Sequence, residues 1–278
     1  MTDVRQKYHR LQQDLKKSDR VVVAYSGGVD STFLLKAAVD TLGTDNVLAC
    51  IGISPSLARS QYERAMESAR LIGANVQEVS VHEILDGRYA ANDPGRCFHC
   101  KSHLYEALWK VAEERGFEAV VCGSNFDDKD DYRPGNQAAH VQNVGCPLMD
   151  AEMTKEDIRT KSRELGLPTA DLPASPCLAS RVSYGLEVTA ERLQEVEQAE
   201  EVLRSMGFRE FRVRHHGAIA RIEVPPDELE RIVADPVRQE ILERLTALGF
   251  RYVALDLKGF RSGSLNEVLT EAEKGESR

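Results

Sequence analysis

Val21 to Tyr25 is an unbroken apolar run that passes directly into Ser26-Gly27-Gly28-Val29-Asp30-Ser31 and then into a helical pattern opening at Thr32. Strand, tight turn and helix N-terminus in immediate succession leave few alternatives to an α/β layer. Gly27 and Gly28 remove the Cβ atoms that would block close backbone approach, and the exposed amides and helix dipole make an anion site suited to pyrophosphate. Ser26 and Ser31 can add hydroxyl donors. No Lys-Ser or Lys-Thr pair ends the loop, so it is not a Walker loop, and Asp30 suggests a magnesium-linked role. The plain alternative is a capped turn.

The same alternation continues downstream. Strand-like runs at Val47 to Ile53, Val76 to Val81 and Ala119 to Cys122 alternate with helical patterns at Thr32 to Leu42, Leu57 to Ile72 and Ser102 to Arg115. Strands continuous in Val and Ala, each followed by a helix, predict an α/β fold with a doubly wound parallel sheet. Ligands bind such sheets at the carboxyl ends of the strands, so the loops after Tyr25, Ile53, Val81 and Cys122 are expected to converge. A Pro-, Ser- and Gly-rich stretch from Gly166 to Gly185 reads as a junction. Beyond it, a helix at Thr189 to Met206, strands at Phe208 to His215 and Ala218 to Val224, helices between Pro225 and Leu248 and a strand at Tyr252 to Leu257 predict a smaller α+β domain. The expected division is 1–180 and 181–278.

The 278 residues carry a formal net charge of -9, which disfavours a broad nucleic-acid surface and hence a tRNA substrate. The first residues mix charges through a helical pattern and no apolar run reaches membrane-spanning length, so a cytoplasmic protein with no membrane partner is expected. In that compartment the six cysteines stay reduced, and a cluster of them points to metal or thiol chemistry rather than disulfides.

Cys97-Phe98-His99-Cys100-Lys101 and Ser175-Pro176-Cys177-Leu178-Ala179-Ser180-Arg181 hold the cysteines of interest. A structural zinc normally takes four protein ligands, whereas Cys97, Cys100 and Cys177 together suit a 4Fe-4S cluster with one open iron. A redox or persulfide relay at Cys97 and Cys100, or a purely structural role, are the alternatives. Cys50 and Cys122 fall in apolar strands and read as inert core; Cys146 stays open. After the strand ending at Cys122, Gly123 to Asp128 has the form of a second nucleotide-side loop, in which Asp127 and Asp128 hold magnesium or substrate, or simply make an Asx turn. Lys101, Ser180 and Arg181 are candidate phosphate or substrate contacts. Alternation along Phe211 to His216 places Arg212, Arg214 and His216 on one face, either to grip a phosphate or as a solvated surface. His99 and His103 read as hydrogen-bonding residues rather than ligands.

The Ser26 to Ser31 loop resembles that of PP-loop ATP pyrophosphatases, with an adenine nucleotide alpha hydrolase-like fold, which adenylate a substrate oxygen and release pyrophosphate. Taken with Cys97 to Lys101, Ser175 to Arg181 and Tyr252 to Ser264, the chain resembles the LarE family of ATP-dependent sulfur transferases over nearly its whole length. The resemblance implies ATP and Mg2+, a homo-oligomer, and adenylation of a carboxylate of pyridinium-3,5-biscarboxylic acid mononucleotide in nickel-pincer cofactor synthesis. It also implies that Arg212 and Arg214 bind phosphate and that Cys177 enters sulfur transfer. The family has a sacrificial type, in which this cysteine gives up its own sulfur, and a three-cysteine type with a cluster-borne sulfide. Cysteines at 97, 100 and 177 favour the cluster type, with the sulfur source left open. A PP-loop tRNA thiolase and a non-catalytic nucleotide-binding iron-sulfur scaffold are the competing readings.

Overall fold

A computed structural model of the chain describes residues 3–129, 134–173, 175–261 and 264–270. Helix α1 (Val4–Leu15) leads to strand β1 (Val21–Ala24), α2 (Val29–Leu42), β2 (Val47–Ile53), α3 (Arg59–Ile72) and β3 (Asn75–Ser80). Next come α4 (Gly87–Ala90), α5 (Arg96–Arg115), β4 (Ala119–Cys122), α6 (Pro134–Val141), α7 (Pro147–Asp150) and α8 (Lys155–Glu164). The chain then forms α9 (Ala190–Ser205), β5 (Arg212–His216), β6 (Ile219–Glu223), α10 (Leu229–Val233), α11 (Val237–Ala247) and β7 (Tyr252–Leu255). Among the described residues, no helix is long and apolar enough to cross a membrane.

The first four strands are parallel in the order β3-β2-β1-β4. Because successive residues of a strand point to opposite faces, an all-apolar strand feeds two cores. Val21 and Val23 pack with Phe33, Leu34 and Ile158 on one face, while Val22 and Val120 pack with Tyr105, Leu108 and Ala138 on the other. This is the doubly wound arrangement expected from the pattern. β1 pairs with both β2 and β4, so the chain reverses its winding direction at β1 and the loops after β1 and β4 flank the switch point where such sheets bind ligands.

The second sheet has the order β5-β6-β7, with β5 antiparallel and β7 parallel to β6. Val213, Ala220 and Ile222 bury one face of it against Ala199, Leu203, Ile241 and Leu245. Sheet and helices together make a small α+β body.

The chain separates into one unit built from residues up to Glu83 with Cys97–Ser175, and a second built from Ile84–Arg96 with residues from Pro176 on. A single cut at residue 180 therefore misses Ile84–Arg96, which the sequence pattern leaves in the first domain. Hydrogen bonds supply the reason. Asn92 is fully buried in a left-handed conformation (φ 57), which Asn tolerates better than most residues. Its Nδ2 donates to the carbonyls of Val182 (3.3 Å), Ser183 (2.7 Å) and Leu186 (2.8 Å). Arg96 Nη1 donates to the Ala179 carbonyl at 2.9 Å and the Val188 amide to the Ala90 carbonyl at 2.9 Å.

Candidate functional site

Helix α2 begins at Val29, three residues before the apolar pattern suggested, so Asp30 and Ser31 lie in its first turn. Gly28 is the cap residue and offers no side chain to the first amides, which leaves that end open to an anion. Gly27 has φ 69, and a Cβ there would stand 2.5 Å from Ala65 Cβ and 2.7 Å from Ala65 Cα on α3. Tyr25 fixes the same contact by donating its hydroxyl to the Ala65 carbonyl at 2.8 Å. Ser26 Oγ and Ser31 Oγ are 3.0 Å apart, and Ser31 Oγ also donates to the Gly28 carbonyl at 3.3 Å. With the Ser31 proton used there, Ser26 is the donor between the two hydroxyls.

Gly123, directly after β4, meets this turn. A Cβ on it would lie 2.9 Å from the Ser31 amide nitrogen and 3.1 Å from Ser31 Cα. Two loops thus close on one helix end at the switch point, and each does so through a glycine.

Asp30 does not stand alone. Lys155 Nζ binds both of its carboxylate oxygens, at 2.7 and 2.6 Å, and the Lys155 amide donates to Asp127 Oδ2 at 2.8 Å. One residue at the start of α8 therefore joins two of the acids singled out in the sequence. Lys155 escaped the sequence reading; the available signal was the capping box of Thr154 and Asp157, which places the next residue at a helix start. The Asx turn weighed for the second loop is present, because Asn125 Oδ1 accepts the Asp127 amide at 3.0 Å. The buried Asp128 carboxylate accepts the Asn125 amide at 3.0 Å.

Cys97 and Cys100 lie in the first turns of α5, not in a loop, and at a spacing of three they share one side of the helix. Cys97 is exposed and Cys100 half-buried. Further along α5, Leu104 Cδ1 would be 2.8 Å from a Cβ on Gly52, near the end of β2, which sets the N-terminal part of the helix toward the carboxyl edge of the sheet. Lys101 is half-buried, with its Cγ 3.2 Å from where a Cβ of Gly135 would sit. Among the described residues, no three His, Cys, Asp or Glu side chains converge on one metal position. Burial pushes the Cys50 thiol up to about 12, in keeping with an inert core residue.

Cys177 belongs to the second unit, where it precedes a short 3-10 turn at Leu178–Arg181 and is half-buried. Its carbonyl accepts the Ser180 hydroxyl at 2.7 Å and Arg181 Nη1 at 3.0 Å. The buried Arg181 guanidinium is held by Glu200 at 2.9 and 3.2 Å and also donates to the Pro176 carbonyl at 2.5 Å. Ser180 and Arg181 thus fix the backbone that carries Cys177.

At Arg212 and Arg214 the strand face of β5 is not a solvated surface. Arg214 is 5% exposed, with Nη2 donating to Glu223 Oε2 at 2.9 Å and to Ser264 Oγ at 2.7 Å, and Nη1 donating to the Ser180 carbonyl at 2.9 Å. Its Nε is buried with no hydrogen-bond partner among the described residues. The Arg212 guanidinium lies 4.9 Å above the Phe260 ring, and burial, followed by the charges of Arg181 and Arg214, lowers its pKa to about 10. His216 is exposed, with Nδ1 2.9 Å from Ser183 Oγ. Arginines gathered at partly desolvated positions make a setting that favours an anion.

Residues 4–97 match the family described as NAD synthase. The chain is 39% identical over 259 residues to the pyridinium-3,5-bisthiocarboxylic acid mononucleotide synthase of Lactiplantibacillus plantarum, covering 93% of each chain. It is 43% identical over 265 residues to an uncharacterised protein of Synechocystis, covering 95% of this chain and 98% of that one. A glutamine-hydrolysing GMP synthase of Thermus thermophilus is 31% identical over 214 residues, which are 68% of this chain but 40% of that enzyme. Similarity to the synthase at this identity, along nearly the full length of both chains, and the cysteine and glycine motifs placed above make this chain a member of the LarE family.

Proposed function

We propose that this chain is an ATP-dependent sulfur transferase that converts a carboxylate of pyridinium-3,5-biscarboxylic acid mononucleotide to a thiocarboxylate. The alignment with the synthase over 93% of both chains carries the reading, since that enzyme's name specifies the bisthiocarboxylic product. The substrate carboxylate attacks the α-phosphorus of ATP and pyrophosphate leaves; a sulfur nucleophile then attacks the activated carbonyl carbon and AMP leaves. Both leaving groups depart with negative charge, which the site must stabilise.

The open end of α2 and the hydroxyls of Ser26 and Ser31 bind the departing pyrophosphate. Gly123 brings the second loop against the same helix end. Asp30 and Asp127, joined through Lys155, are the carboxylates that would hold Mg2+, which would supply charge neutralisation at the phosphates. Arg212 is the first candidate to hold the substrate phosphate. Arg214 and Arg181 act chiefly by keeping the turn of Cys177 in place. The second unit binds substrate and supplies the contacts of a homo-oligomer.

Thiols are the donor set that iron takes, and Cys97 and Cys100, three apart on one helix, together with Cys177 are the residues that would hold a 4Fe-4S cluster. When bound, such a cluster would supply a renewable sulfide as the nucleophile. The test is iron and acid-labile sulfide on protein purified without oxygen, comparing wild type with Cys97→Ala and Cys177→Ala, alongside substrate-dependent pyrophosphate release. About four irons per chain, lost in both variants, are expected. Reconstituted protein that holds no iron, yet makes one thiocarboxylate per chain and converts Cys177 to dehydroalanine, would establish the sacrificial route instead.

A further inference from the structure

Cys122 and Cys146 fall outside the sulfur site proposed above, yet the fold brings them together. Val121 and Gly145 form an isolated parallel bridge: the Cys122 amide donates to the Gly145 carbonyl at 2.8 Å and the Gly145 amide to the Val120 carbonyl at 2.9 Å. One residue further along both segments come Cys122 and Cys146, side by side on one face, with their sulfurs 3.5 Å apart. Laterally adjacent residues of paired strands have Cα separations inside the range that a disulfide spans. Cys122 is 4% exposed and Cys146 half-buried, so Cys146 is the more accessible residue of the two.

We propose that Cys122 and Cys146 are a reversible dithiol–disulfide pair in the wall of the crevice at the carboxyl end of β4. The oxidant is a low-molecular-weight disulfide. Cys146, the less buried residue, attacks it as thiolate and forms a mixed disulfide, expelling one thiolate. Cys122 then attacks the Cys146 sulfur and expels the second. Two protein thiols and one small disulfide become one protein disulfide and two small thiols, and the two protein protons end on the leaving thiolates. The hydrogen bond from Cys146, then those from the Ser124 hydroxyl and amide, lowers the Cys122 pKa to about 6 against the opposing effect of burial, while the same bond pushes Cys146 up. At neutral pH one proton of the pair is lost to solvent, the charge rests on Cys122 and the shared proton on Cys146; passage of that proton to Cys122 makes Cys146 the attacking thiolate. Cys50, alone in the core, has no such help.

The test equilibrates full-length protein across ratios of reduced to oxidised glutathione without oxygen, blocks remaining thiols by alkylation, and maps the peptides by mass. A Cys122–Cys146 linked peptide that appears with a single midpoint and disappears on reduction is expected. In Cys146→Ala, which removes the hydrogen-bond donor, Cys122 forms no intramolecular link at any ratio and its thiolate absorbance shifts to higher pH by at least one unit. Alkylation of both peptides as separate thiols throughout the series, or a Cys122 ionisation unchanged in Cys146→Ala, overturns the pair. The wild-type map decides the question even where a variant folds poorly.

Discussion

Gly27 is where backbone conformation and packing impose the same demand. Its φ of 69 is left-handed, and the nearest atoms to an added Cβ belong to the backbone and Cβ of Ala65, which no rotamer change can move. Gly27→Ala is expected to cost about 1–2 kcal/mol from the left-handed conformation alone, with more from the displaced helix α3. Because the displaced turn is the proposed pyrophosphate site, ATP affinity falls at least tenfold in the same variant. Chemical denaturation and calorimetric ATP titration read the two effects separately; unchanged affinity would sever the glycine from nucleotide binding. The loop was legible in the sequence because strand, glycine pair and helix start are local. Lys155 was not, since it reaches Asp30 across 125 residues.

At the level of elements, α8 shows how one capping arrangement serves two purposes. The Asp157 carboxylate closes the capping box with Thr154 and also takes a 2.6 Å ion pair from Lys7 of α1, fastening the two helices together. Burial opposes its ionisation, but Lys7 and the backbone and hydroxyl donors of Thr154 outweigh it and hold the pKa below the ordinary 3.8. A carboxyl whose pKa is depressed by folding stabilises the fold above its unfolded pKa and loses that contribution as pH falls through the folded one. Asp157→Asn should therefore cost about 1–2 kcal/mol at neutral pH, and the gap to wild type should narrow as denaturation is repeated below about pH 4. A gap independent of pH would assign the effect to packing alone. Strands β1 to β4 were legible within a residue, helped by the apolar runs of β1, β2 and β4, whereas β5, expected from Phe208, begins at Arg212. The start of α5 was not: Arg96 to Lys101 lacks an apolar period, and the helix extends there because Arg96 is anchored to Ala179, far along the chain.

Across the whole molecule, the interleaved segment Ile84–Arg96 is what composition and periodicity could not reveal. A cut at the Pro- and Gly-rich stretch near residue 180 follows local signals, whereas Asn92 is committed by carbonyls 90 to 94 residues away. Asn92→Ala removes a buried donor from three carbonyls and a residue tolerant of left-handed backbone, and about 3 kcal/mol or more of stability should go with it. Hydrogen exchange in residues from Pro176 on should accelerate with that loss while β1 to β4 stay protected. Equal acceleration in both sheets would mean that Asn92 supports the chain as a whole.

The same tie sets a timetable for biosynthesis. Asn92 leaves the ribosome before Val182, Ser183 and Leu186 exist, and at about 5–20 residues per second the wait is roughly 5–20 s. During that interval the second unit has its opening segment but none of its sheet. The nascent chain thus presents Ile84–Arg96 unclaimed to chaperones and proteases, a vulnerability that ends only when translation has passed the turn that carries Cys177.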